Sequence, residues 1–426
     1  DLKFHIDFYK KTLDKFKELT IKETAARVSA NMPLINDNSP HSSEQGILNK
    51  AIKNKCKGKG IRKLFTEIAD ILPKIFPVFL MSPISAAQYL SVSNKFDIVI
   101  FDEASQIPTS KAISAICKGK SLIVVGDSKQ MPPSSFFKSK DDDEIDSSLD
   151  DLDSILDDLD AINMPQLSLT WHYRSKHESL IRFSNAKFYN NKLITFPSTN
   201  DMVSKVKFIN TNGIYGGKSA TNEIEAKAII KEVERRLRDS KLNKFSIGIV
   251  TFSSVQQELI EDMLSDFFTY HKDLERINLA SKEPIIVKNL ENIQGDERDV
   301  ILFSICYGPD SNNNMYYRFG PLNNMGGEKR LNVAISRARY EMLVFASFEV
   351  ERLANMKTNS IGAKELYSFL KYAKYGNEAL LANNSNIATN NVGFEKQLAE
   401  KLTERGYKCV IDVGNSSFKV DIGIIN

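Results

Sequence analysis

FDIVIFDEASQ (Phe96–Gln106) and SLIVVGDSKQMPPSSFF (Ser121–Phe137) are the stretches from which the fold is read. Past Asp97, the apolar runs Phe96–Phe101 and Leu122–Val125 are short, β-branched and free of charge. That pattern predicts strands buried on both faces of a parallel sheet, and hence an α/β fold. Each run ends in acid, Asp102-Glu103 after the first and Gly126-Asp127 after the second. In open α/β sheets the ligand sits beyond the carboxyl ends of the strands, so three carboxylates, with Gln106 and Gln130, are expected at one crevice. A hard cation takes carboxylate and water oxygens, and an attacking water needs a group to orient it, so the expected ligand is a Mg2+-nucleotide.

DEASQ followed by GDSKQMPP resembles motifs II and III of superfamily 1 DNA/RNA helicases, in the branch that includes the nonsense-mediated-decay helicase. A single Asp-Glu pair is usually solvated surface, whereas two motifs closing consecutive strands are specific. Further matches follow in the family's order. Tyr173-Arg174, ahead of a helix and FYNNKL, is similar to the entry of the second motor domain. IGIVT (Ile247–Thr251), with Gln256 on the next helix, is similar to motif IV. VKNLENIQGDERDVILFS (Val287–Ser304) is similar to motif V, and RLNVAISRAR (Arg330–Arg339) to motif VI. Taken alone, the last would read as a basic surface helix.

The resemblance implies two RecA-like (P-loop NTPase) parallel-sheet domains, the first incomplete, and a helicase or translocase, 5′→3′, that hydrolyses ATP with Mg2+. It implies Asp102 for the metal, Glu103 for activating water, Asp127 beside the nucleotide and Gln130 as a γ-phosphate sensor. Arg174 and Arg337 would meet transition-state charge, because guanidinium is always charged and offers a planar fork. Arg330 would support them. Gln256, Gln294 and Glu297 would couple nucleotide state to strand contacts, with Glu297 accepting from a ribose hydroxyl and Gly295 permitting close backbone approach. Ser82 and Ser85 would contact the phosphates of single-stranded nucleic acid. The same motifs do not separate DNA from RNA.

The rest of the chain divides around these motifs. Residues 1–76 are expected to be a helical region and 77–137 the remainder of the first motor domain. An acidic insertion should follow at 138–160, the second motor domain at 161–355, a helix and polar linker at 356–391, and a further α/β domain at 392–426. Leu2, Ile6, Tyr9, Leu13 and Phe16 repeat at four-three spacing, predicting an amphipathic helix packed on another helix. Lys50–Lys63 is the most basic stretch, as suited to a solvated face as to phosphate. Pro77–Leu90 should give a short strand and then a helix after Ser82-Pro83. Gly217-Lys218-Ser219 imitates a phosphate loop, but Gly213 is one residue too close for G-x-x-x-x-G-K-[ST]. His172 and His177 lack partners for zinc. Beyond the linker, Glu395 on a helix and Asp421 on a strand resemble the start of a restriction-endonuclease-like fold of the very-short-patch-repair type. A small α/β cap is the plainer reading of the same residues.

Composition sets outer limits. At 426 residues with net charge +3, any nucleic-acid surface must be a local patch. Cys56, Cys117, Cys306 and Cys409 lie far apart, arguing against a zinc ribbon and for buried thiols in a reducing compartment such as the cytoplasm. No apolar run reaches membrane-spanning length. The sequence starts without methionine, ends in a strand-like run and contains no G-x-x-x-x-G-K-[ST], so it reads as a fragment expected to be inactive alone. The competing expectations are a helicase-loaded nuclease, acting through Asp421, and a nucleic-acid-binding module indifferent to nucleotide.

Overall fold

Short apolar runs alternate with amphipathic helices along most of the chain, and the computed structural model arranges them as mixed α/β structure. It describes residues 2–33, 39–40, 42–91, 96–133, 154–197, 203–217, 219–381, 394–414, 416 and 418–425. Two units form: Asp1–Asp127 with Pro133–Met164, and Ser128–Pro132 with Pro165–Asn426. The first unit therefore runs past the 137 read from sequence, to Met164, except for Ser128–Pro132, which belongs to the second. Met131 packs in the core of the second unit, and Asn332 Nδ2 donates to Lys129 O at 2.9 Å. The Gln130 segment thus travels with that unit.

The first unit contains α1 (Leu2–Asn31), α2 (Glu44–Lys53), α3 (Ile61–Glu67), α4 (Leu72–Ile75), α5 (Pro83–Tyr89), β1 (Phe96–Phe101), α6 (Thr109–Ile116), β2 (Gly119–Val124) and α7 (Ile155–Ala161). β1 and β2 pair in parallel, with Phe101 opposite Val124. Burial on both faces, expected from their composition, is not found: Ile98, Ile100 and Ile123 are exposed, while Phe101 is buried against Ala104, Ala112 and Ile155. Two paired strands among the described residues leave part of the surface without a neighbour to cover it. The four-three stripe of α1 likewise lies open, with Ile6, Tyr9 and Phe16 exposed. Surface ion pairs, Lys22–Glu18 at 2.5 Å and Arg27–Glu23 at 2.6 Å, run along that helix instead of a packed partner.

The short strand expected at Pro77–Leu80 does not form, and Pro77 lies at a bend. Most of the acidic stretch at 138–160 lies outside the described residues. Its end forms α7, opened by a capping box in which Ser154 Oγ accepts from Asp157 N at 3.2 Å. Ile155 inserts beside Phe101, so this helix completes the first unit and does not lead out of it.

The second unit contains α8 (Ser179–Phe188), β3 (Val206–Asn210), α9 (Glu223–Arg238), β4 (Ile247–Thr251), α10 (Ser254–Tyr270), α11 (Lys272–Ala280), β5 (Ile286–Asn289), β6 (Arg298–Ser304), α12 (Gly327–Ile335), β7 (Ala338–Ala346), α13 (Ile361–Tyr375), α14 (Glu378–Leu381), α15 (Phe394–Glu404), β8 (Lys408–Val413) and β9 (Val420–Ile425). β3 to β7 form one sheet in the order β3-β7-β6-β4-β5, every pair parallel. Side chains alternate between two cores, as the strand period of two requires. Val250, Ile301, Phe303 and Val344 meet α8, α12 and α13 on one face; Ile249, Val300, Leu302 and Phe345 meet α9 and α10 on the other. α13 supplies Leu366, Phe369 and Tyr372 to the first of these cores. The helix expected within 356–391 is thus found, packed into the core of the second unit, while most of the polar linker after it lies outside the described residues. The C-terminal α15 and the antiparallel β8–β9 pair follow.

Candidate active site

The sequence places charge where strands end, and in each unit the local backbone explains how. After β1 the chain turns sharply through Glu103, which adopts a left-handed φ of 53°. Glu103 N donates to Asp102 Oδ1 at 3.0 Å, and Ala104 N reaches across to Val125 O at 3.0 Å, which ties the ends of the two strands together. Gly126 fits here because a Cβ would lie 3.1 Å from Ser105 N and 3.2 Å from Ala104 N. Asp102 and Glu103 remain exposed, and Asp127 is half-buried. Gln106 Nε2 lies 3.5 Å from Glu103 Oε2. An exposed carboxylate pair at a strand end fits a Mg2+ held by one protein oxygen, with phosphate and water oxygens completing its shell.

In the second unit Arg174 stands on a turn pinned from both sides. His172 N donates to Ile194 O at 2.9 Å, Ser175 N donates to His172 Nε2 at 3.1 Å, and Lys176 N donates to Arg339 O at 2.7 Å. Burial first, and the Arg174 charge second, push the His172 imidazole down to about 4. It is therefore neutral at physiological pH and free to accept at Nε2. Sequence reasoning dismissed this histidine as a zinc ligand and found no other use for it. Its i, i+3 spacing to Ser175 was the available signal.

Arg174 Nε donates to Glu297 Oε2 at 2.6 Å, so two residues assigned separate roles are brought into contact. Glu297 follows Gly295, whose φ of 89° makes the turn before β6. Gln294 on the same turn is half-buried. Arg330, on α12, donates from Nε to Glu291 Oε1 at 2.7 Å and from Nη1 to Met325 O at 3.1 Å. The Arg330–Arg339 stretch is not one helix. α12 stops at Ile335, Ser336 caps it, and β7 starts at Ala338. Arg337 is buried at that junction with its Nε on Val333 O at 2.7 Å, while Arg339 enters the strand.

Gln256 lies in a buried polar knot. Its Oε1 accepts from Asn222 N at 2.8 Å and its Nε2 donates to Asn222 O at 3.1 Å. Asn222 caps α9 through Glu225 N at 3.1 Å and donates to Ser347 Oγ at 2.7 Å. Glu225, fully buried, accepts from Ser304 Oγ at 2.6 Å and Cys306 N at 2.7 Å. Burial pushes its carboxyl up to about 7. Gly213 belongs to this knot, since a Cβ there would sit 2.4 Å from Asn222 Oδ1. That accounts for the glycine that imitated a phosphate loop. Ser219 Oγ donates to Gly216 O at 3.0 Å and α9 begins four residues later; Lys218 lies outside the described residues.

Other assigned residues stand apart. Ser82 Oγ caps α5 by accepting from Ser85 N at 3.1 Å and donates to Ser85 Oγ at 3.0 Å. Glu395 lies in the first turn of α15 and Asp421 is exposed on β9. Among the described residues no group of three or more His, Cys, Asp or Glu could hold a metal ion. The expectation of buried thiols holds for Cys306 only, since Cys56 and Cys117 are exposed. Among the described residues no helix is long and apolar enough to cross a membrane.

Two family models, each described as an AAA domain, match residues 78–138 and 152–349. They enclose both carboxylate-bearing strands and the Arg174, Glu297 and Arg337 elements. These domains, with the relatives that follow, support a superfamily 1 helicase. It is 32% identical over 352 residues to an uncharacterized ATP-dependent helicase (MG140 homolog) of Mycoplasma pneumoniae, covering 80% of this chain and 30% of that protein. The Mycoplasma genitalium helicase MG140 is 32% identical over 329 residues, covering 74% and 29%. The DNA replication ATP-dependent helicase/nuclease dna2 of Schizosaccharomyces pombe is 26% identical over 357 residues, covering 75% and 23%. The chain thus spans under a third of the length of these relatives.

Proposed function

We propose that the protein containing this chain is an ATP-driven helicase or translocase on single-stranded nucleic acid, moving 5′→3′. The observation that carries the reading is Arg174, presented on a turn fixed by His172 and Lys176 and paired with Glu297 of motif V. A guanidinium held in place before chemistry begins stabilises developing phosphoryl charge without reorganising at the moment of reaction.

Roles divide by unit. Asp102 is assigned to hold Mg2+, which when bound would neutralise phosphate charge. Glu103, next along the turn, would orient and deprotonate the attacking water, with Asp127 beside the nucleotide. In the second unit Gln130 would sense the γ-phosphate, Arg174 and Arg337 would take up transition-state charge, and Arg330 would support them through the α12 end. Gly295 and Glu297 are assigned to the nucleotide, Glu297 to accept from a ribose hydroxyl. Ser82, Ser85 and Gln294 are assigned to the strand. Gln256 would act at one remove, by fixing the cap of α9. Without a G-x-x-x-x-G-K-[ST] loop in its own sequence, the 426-residue chain is proposed to turn over no ATP by itself.

In the longer protein, Arg174→Ala should lower kcat for ATP about 10³-fold, the scale of an arginine acting on phosphoryl charge. A variant within about twofold of wild type would remove Arg174 from the chemistry.

A further inference from the structure

Sequence reasoning gives Arg339 no role, yet its guanidinium joins three carboxylates. Nε donates to Asp299 Oδ1 at 2.8 Å, and Nη2 donates to Ser246 Oγ at 3.0 Å and to Glu283 Oε2. Nη1 donates to Glu283 Oε1 at 3.2 Å and to Glu297 Oε1 at 3.4 Å. The other oxygen of Glu297 carries Arg174, so an unbroken line runs from Glu283 and Asp299 through Arg339 and Glu297 to Arg174. The Arg339 carbonyl adds a second tie by accepting from Lys176 N at the far side of the Arg174 turn. The Arg339 side chain is 20% exposed, whereas Arg174 is 31% exposed and the more accessible of the two.

We propose that Arg339 is a positioning residue: by sharing Glu297 it keeps that carboxylate in place and limits its hold on Arg174. This deepens the proposed function and rests on it. A carboxylate facing two guanidiniums divides its charge between them, and one left with a single partner holds it more tightly. To meet phosphoryl oxygens Arg174 must exchange Glu297 for them. With Arg339 present, Glu297 keeps a partner after the exchange; without it, the exchange strands a half-buried carboxylate and is opposed. Arg339 itself lies at the start of β7, fastened by Asp299, Glu283 and Ser246, and acts only through its neighbour. Its removal should therefore fall on kcat, since the exchange is completed in the transition state, and leave KM nearly unchanged.

Two readouts test this. In the 426-residue chain, the Arg174 Nε–Hε resonance, assigned by its loss in Arg174→Lys, should shift in Arg339→Ala and exchange more slowly with water. An unmoved resonance would overturn the inference whatever the enzyme does. In the longer protein, Arg339→Ala should lower kcat about tenfold with KM within about twofold. In a Glu297→Gln background the same substitution should do nothing further, because the carboxylate through which it acts is gone. Arg339→Lys, which keeps the charge and loses the fork, should fall between and guards against a variant that does not fold. Additive losses in the two backgrounds would reduce Arg339 to a structural tie. If Arg174→Ala and Glu103→Gln both leave hydrolysis intact, the proposed function fails; if they abolish it while Arg339→Ala is silent, this inference alone fails.

Discussion

Ile301 and Ile100 occupy strands whose sequences read alike, yet Ile301 is fully buried and Ile100 is 63% exposed. VILFS in β6 lies between β4 and β7 with helices over both faces. FDIVIF in β1 has one strand partner among the described residues and helices over part of its surface. A short β-branched run states a preference for burial, while neighbours decide whether it is met. The second unit holds a five-stranded sheet with a core on each face. Among the described residues the first has two strands and two small cores, one around Ile68 and Leu72 and one around Phe101 and Ile155.

The sharpest way to break this contrast is to make one substitution in both places. Ile301→Ala should destabilise the second unit by about 2–5 kcal/mol, the cost of a buried cavity. Ile100→Ala should cost under about 1 kcal/mol, as exposed positions do. Denaturant unfolding followed by circular dichroism measures both. Equal losses would mean that β1 is covered in solution.

A smaller effect separates the polar parts of the second unit by pH. For Glu225 the folded carboxyl is raised from 4.5 to about 7, so its contribution to stability is full below 4.5 and lost as pH rises through about 7. For His172 the folded imidazole is lowered from 6.5 to about 4, so its contribution is present above 6.5 and lost as pH falls through about 4. Glu225→Gln retains acceptors for Ser304 and Cys306 and should flatten the alkaline decline between about pH 5 and pH 8. His172→Gln should flatten the acid side and leave the alkaline side as it was. Urea midpoints measured across pH would show whether the two windows move independently, and a shared response would merge the knot and the Arg174 turn into one titrating unit.

Much of this was legible in residue order. β1 is found at Phe96–Phe101 as read, because a short apolar run is a local signal. The carboxylate turn after β1 and the Arg174 segment were found through motifs. What stayed hidden depends on contacts across the sequence. The Arg174–Glu297 pair spans 123 residues and the Arg339–Glu283 pair 56. The helix-to-strand break at Ser336 was missed because Asn332 to Ala338 carries no glycine or proline to announce it. Gln256 was expected to couple nucleotide state to strand contacts, and the partner its amide holds, Asn222, stands 34 positions away.

The carboxylates after β1 and the guanidinium of Arg174 are each proposed to act in ATP hydrolysis stimulated by a nucleic-acid strand. The direct measurement is ATP turnover with and without a single-stranded oligonucleotide, in this chain and in a form extended upstream, each beside its Glu103→Gln variant. Only the extended form should turn over, the strand should raise its rate at least tenfold, and Glu103→Gln should silence it. Turnover that is indifferent to the strand and survives Glu103→Gln would contradict it.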